Sequence, residues 1–282
     1  MKLISVIVCV LLAAGTISAQ PKAYFTPEDL QIFNQYLSYI KPFKNLTKTE
    51  VLEKTAIFFL GKPYESHTLE TTAGETLVVN LRAFDCTTFV ETVIALSRTA
   101  SSVVPSFNTY LTELQDIRYR NGAIDGYASR LHYTTDWVYE NEKNGKVKNI
   151  SAALGGKVEM KTIGFMSAHR ESYRQLKGED ATLQEIVDRE KEINGRGGFT
   201  FLPKTTIAIA APLIPHMAMI GFTTDIRGLD VSHTGFTFHD GEKLTFIHAS
   251  SARQKVVIDQ KTLSDYCLGQ KSCTGILVSQ IM

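Results

Sequence analysis

The hydrophobic pattern of this 282-residue chain changes period along its length, from helical spacing early to strand-like alternation late. Thr26-Pro27-Glu28-Asp29 sets a capping residue, a first-turn proline and two acids in the order a helix start prefers. Leu30, Phe33, Tyr36, Leu37 and Ile40 then share one helical face. Thr47 caps a second predicted helix that runs to Leu60, where Gly61 and Pro63 stop it. A third is predicted from Asp85 or Cys86, with Phe89, Val90, Val93 and Leu96 on one face, and others over residues 107–119, 131–142 and 182–193. Residues 145–178 carry no readable period. Strands are predicted over 205–211, 217–223, 230–238, 244–249, 256–258 and 275–281. Helices followed by strands and tight turns predict an α+β domain, with helices packed on an antiparallel sheet.

The first residues predict export. Lys2 precedes an apolar run over residues 3–14, too short to span a bilayer, and small residues lead to an expected cut after Ala19. The expected mature domain is 20–282, a single unit with no membrane span. With 30 basic and 29 acidic residues the chain has no electrostatic footprint for nucleic acid. Once Cys9 leaves with the leader, Cys86, Cys267 and Cys273 remain. Exported proteins usually pair their cysteines. Cys267 and Cys273 are close enough in sequence to close a small loop, which leaves Cys86 as an odd thiol in need of a reason. No cysteine or histidine spacing suits zinc, and no cofactor is expected.

A reason is at hand in the chemistry of helix starts. Phe84-Asp85-Cys86-Thr87-Thr88-Phe89-Val90-Glu91 puts the thiol where free backbone N–H groups and the helix dipole favour thiolate. The same N–H groups can hold an oxyanion. A buried structural cysteine is the competing reading. Later in the chain His233 and His248 lie on two strands predicted to form a hairpin. A turn at Asp240-Gly241 sets them directly opposite each other on one face, so that one serves as base and the other orients it. A pair of polar residues on a solvated sheet is the alternative. Weaker candidates are Tyr64 as a hydroxyl donor, Asp85 as cap or amine ligand, and Ser232 beside the base. Arg130, Tyr133 and Trp137 are candidates to contact substrate, although at least two of Arg130, His132, Tyr133 and Trp137 should be packing.

Gly61-Lys62-Pro63-Tyr64, Asp-Cys-Thr-Thr-Phe-Val-Glu, Ser-His-Thr-Gly-Phe and Ile-His-Ala-Ser occur in that order. The set resembles the papain-like cell-wall hydrolases of the NlpC type. More narrowly, with Arg130-Leu131-His132-Tyr133-Thr134-Thr135-Asp136-Trp137, it resembles their N-acetylmuramoyl-L-alanine amidase group. The resemblance implies a papain-like fold, with Cys86 as nucleophile, His233 as base and His248 as orienter. It also implies a muropeptide substrate cut between the muramic acid lactyl group and L-alanine. An endopeptidase cutting the stem peptide after D-glutamate, and an inactive peptidoglycan-binding protein, are the alternatives. Departures from the broad NlpC pattern are Thr87-Thr88 where Ser-Gly is usual, a long gap from Tyr64 to Cys86, and a helical insert around 101–200.

Overall fold

The computed structural model describes residues 22–43, 45–70 and 74–282, so the expected leader, residues 1–19, lies outside the described residues. Helix α1 (Pro27–Ile40) opens on a capping box between Thr26 and Asp29. Its buried face is Ile32, Phe33, Tyr36 and Ile40, whereas Leu30 is 38% exposed. Ile32 takes the place expected of Leu30 because Asp29 also turns inward, where its carboxylate accepts from Leu81 N and Arg82 Nε. Helix α2 (Lys48–Phe58) starts on a second capping box, Thr47 with Glu50, and Gly61 follows its end at φ +82°.

Helix α3 (Cys86–Ala100) is buried from Thr88 to Ser97 on all sides, as a central helix must be. Helix α4 (Phe107–Arg118) packs Tyr110, Leu111, Leu114 and Ile117 into the same core. Beyond it come α5 (Thr134–Lys143), the short α6 (Phe165–Ala168) and α7 (Asp180–Asn194).

Preceded by the small parallel pair β1 (Ala23–Tyr24) and β2 (Leu77–Val78), the main sheet is antiparallel. It comprises β3 (Val147–Asn149), β4 (Lys157–Glu159), β5 (Phe199–Pro203), β6 (Met219–Thr224), β7 (Val231–Asp240), β8 (Lys243–Ser250), β9 (Lys255–Ile258) and β10 (Cys273–Ile281). The order is β4-β5-β10-β6-β7-β8-β9, with β3 also paired to β10. Met219, Phe236, Ile247 and Leu277 join the core built on α1–α4. The second core packs Ile220, Phe222, Phe246, Ile276 and Val278 with α8 (Ile207–Ala210) and α9 (Leu263–Gly269). The α+β class is as expected.

Two local expectations are corrected. Residues 205–211, read as a strand, contain α8 instead, since a short Ile-Ala run has no period of its own and alanine favours helix. The neighbouring strand is β5, just upstream. Within the unread segment lie β3, β4 and α6. The β7–β8 turn is Gly241-Glu242, not Asp240-Gly241, because Asp240 pairs with Lys243. Gly241 holds φ +61° at the first turn position, which suits glycine. Cys267 and Cys273 are disulfide-bonded, and Cys86 is a free thiol.

Candidate active site

Asp85 caps α3. Its Oδ1 accepts from Thr88 N at 2.7 Å, and Thr88 Oγ1 accepts from Asp85 N at 3.0 Å. The cap fixes the entry of the chain so that Cys86, the first helical residue, is half-buried at the helix N-terminus. Burial pushes the Cys86 thiol up from its ordinary value and the Asp85 charge adds to this, while the N–H and hydroxyl of Thr234 and the Thr87 hydroxyl pull it back. Thr234 of β7 lies near the sulfur, lining one small cavity with Thr87, and His233 is its neighbour in the chain.

The two imidazoles are in contact. His233 Nε2 lies 2.6 Å from His248 Nδ1, with the rings nearly perpendicular at 84°. Moving the turn by one position moves the register by two residues, so His248 lies across from Gly235 rather than His233. A shift of two keeps both side chains on one face and makes them diagonal neighbours. Gly235 is needed for the approach, since a Cβ there would stand 3.0 Å from His248 Cβ and 2.8 Å from Ile247 O. A bulge between Phe222 and Thr223 makes Ser232 the extra residue of β7, exposed just before His233. Bulges of this kind re-aim the side chains beside them. His233 stacks on Phe222, and Phe246 and Tyr266 enclose the pair. His248 Nε2 faces Asp259 Oδ2 at 3.4 Å.

Other sequence candidates fall in two groups. Tyr64 is close enough to Cys86 and Asp85 for their charges to add to the rise that burial causes in its phenol pKa. Trp137 lines a cavity of about 20 Å³ with Thr87, Val90, His132 and Thr234, which brings it to the residues next to the thiol and the imidazole. Its Nε1 is buried without a hydrogen-bond partner. Tyr133 is drawn elsewhere: its hydroxyl donates to Glu190 Oε1 at 2.7 Å and accepts from Met166 N at 2.8 Å, inside a separate apolar cluster. Arg130 is buried, 3.4 Å from Glu75 and over the Tyr127 ring. Thr234, Tyr266 and Asp259 escaped the sequence reading. Asp259 was within reach of it, because His248 pairs with Val257 and Asp259 is two places further along that strand direction.

Burial lowers the pKa of His233 to about 4, of His248 to about 3 and of His132 to about 3, with His233 and Arg130 respectively adding to the last two. All three start from an ordinary value of 6.5. Between these values and 6.5 the unfolded chain binds the extra protons, so stability is full above pH 6.5 and falls as pH drops toward 4 and 3. Each histidine contributes a slope of up to about 1.4 kcal/mol per pH unit in that window. Urea midpoints are expected to fall steadily from neutral pH into this acid range, and less steeply in His132→Asn. A flat profile contradicts the buried neutral histidines.

An α+β fold with this architecture groups the chain with amidase-like proteins: it resembles an N-acetylmuramoyl-L-alanine amidase from Bacteroides uniformis ATCC 8492 at a TM-score of 0.78 and 36% identity, covering 82% of this chain and 98% of that one. The family described as AmiA-like, N-acetylmuramoyl-L-alanine amidase-like, matches residues 54–276, and the chain belongs to it. A Bacteroides fragilis protein provisionally described as a xylanase is similar at a TM-score of 0.76 and 34% identity, over 80% of this chain and 99% of that one. A Legionella pneumophila protein shares the fold at 0.65 and 21% identity, over 90% of this chain and 97% of that one. No curated protein matches the chain. Among the described residues no helix is long and apolar enough to cross a membrane.

Proposed function

We propose that this protein is an exported cysteine amidase of papain-like, NlpC-type fold, which cuts muropeptides between the lactyl group of N-acetylmuramate and L-alanine. One observation carries the reading: the 2.6 Å His233–His248 contact on the strand whose next residue, Thr234, lies near a free thiol at a helix start. His233 takes the Cys86 proton as sulfur attacks the lactyl carbonyl carbon. The N–H groups at the start of α3 and the Tyr64 hydroxyl stabilise the oxyanion. Collapse breaks the C–N bond, and His233 returns the proton to the L-alanine nitrogen. Water, deprotonated by His233, then attacks the thioester carbon and releases the muramyl carboxylate and the thiol.

Glycoside cleavage, which the Bacteroides fragilis relative's description suggests, has less support. It ordinarily uses two carboxylates roughly 5–9.5 Å apart across the scissile bond. Next to Cys86, Asp85 is committed to capping and Glu91 to Arg118. Muramoyl tetrapeptide incubated with enzyme and weighed by mass spectrometry is expected to give free muramyl sugar and intact tetrapeptide. Muramoyl dipeptide with the distal dipeptide would instead assign the bond after D-glutamate. In a parallel incubation with intact peptidoglycan, sugar chains shortened with stems intact would assign a glycosidase.

A further inference from the structure

We propose that Asp259 is a positioning residue that fixes which nitrogens of His233 and His248 carry protons, so that His233 presents its Nδ1 lone pair as the base. The inference rests on reading Cys86 and His233 as nucleophile and base. Asp259 follows β9, and its backbone N–H donates to Phe246 O at 2.9 Å, which anchors it beside β8. Thr245 Oγ1 ties the same turn to the carbonyls of Asp259 and Lys261. Lys261 N donates to Asp259 Oδ1 at 2.8 Å, which leaves Oδ2 to face His248 Nε2 at 3.4 Å. His248 is fully buried. The titratable groups around it are His233 from β7, Tyr266 from α9 and Asp259 after β9.

The proton order follows from valence. A carboxylate only accepts, so the His248 proton belongs on Nε2, toward Asp259. His248 Nδ1 is then an acceptor. Its 2.6 Å contact with His233 Nε2 is a hydrogen bond only if His233 is protonated there. Nδ1 of His233 is left with its lone pair. Without the carboxylate the opposite order is equally available, with His248 Nδ1 donating to His233 Nε2 and the His233 proton on Nδ1, where it blocks the base. Asp259 also stabilises the positive charge the pair gains when His233 takes the thiol proton.

The test uses the full protein with muramoyl tetrapeptide as substrate. Asp259→Asn is expected to lower kcat about 10- to 100-fold with KM within about twofold, since a wrong tautomer removes the base without touching substrate binding. The acid limb of kcat against pH moves to lower pH, because the imidazolium loses its counter-charge, and Asp259→Glu restores most of the rate. Histidine 15N NMR of the unmodified protein reads the order directly, with His248 and His233 both protonated on Nε2 at neutral pH. A His248 proton on Nδ1, or an Asp259→Asn protein with unaltered kcat and acid limb, overturns the proposal. Normal turnover by Cys86→Ala would instead remove the nucleophile reading beneath it.

Discussion

Cys86→Ala is expected to fold normally and to lose hydrolysis by at least about 10⁴-fold, and His233→Ala to come within about tenfold of that loss, as members of one nucleophile–base unit do. His248→Ala should be milder, at about 10²-fold, because an orienter is outside the proton path. Single-turnover rates on muramoyl tetrapeptide, with circular dichroism to confirm folding, check the order. Cys86 begins a capped helix, the position where N–H groups and dipole serve a thiolate, and burial opposes its ionisation until a base takes the proton. A folded Cys86→Ala protein with normal turnover sinks the mechanism. A larger loss in His248→Ala than in His233→Ala exchanges their roles.

The largest effect on stability is expected at the ion pair that anchors α3, the helix that Cys86 begins. Arg118 Nε donates to Glu91 Oε2 at 2.6 Å, and Arg118 Nη1 to Val78 O at 2.7 Å, so one guanidinium ties α3, α4 and β2. Both side chains are nearly fully buried, at 2% and 3% exposed. Glu91→Ala strands a buried cation and should cost about 3–5 kcal/mol, read as a fall in the urea midpoint at unchanged slope. Joint replacement by Arg118→Met and Glu91→Leu should recover most of that loss, since desolvation of both charges disappears together. A cost under about 1 kcal/mol for Glu91→Ala would show that water reaches the pair.

The α+β class was legible because hydrophobic period is a local property, and α1, α2 and the β7–β8 hairpin follow it closely. Where elements are three or four residues long, as in β3, β4 and α8, no period can be expressed, and neighbours decide their state. The hairpin illustrates how an error in register can leave a pair of side chains together. Choosing the turn one position early displaced the register by two, and strand alternation put His233 and His248 on the same face regardless. Cys86 was legible from cysteine pairing and helix-start chemistry. Tyr133 was misleading because its partner, Glu190, comes from a distant helix, and no pattern near Tyr133 announces that its hydroxyl is already engaged. Tyr266 carries no local signal, since only the packing of α9 under β7 and β8 brings it to the imidazoles.

The position of β10 has a bearing on when activity can arise. It lies between β5 and β6, in the interior of the sheet, although it is the latest of these strands in the sequence. During synthesis Cys86 leaves the ribosome early, His233 and His248 much later, and the strand that joins β5 to β6 after both. Until β10 is laid in, β5 and β6 lack the strand that joins them. Hydrolysis by the proposed site is therefore expected only after translation has passed β10. An amidase centre built this way is expected to stay silent for as long as the chain is incomplete or unfolded.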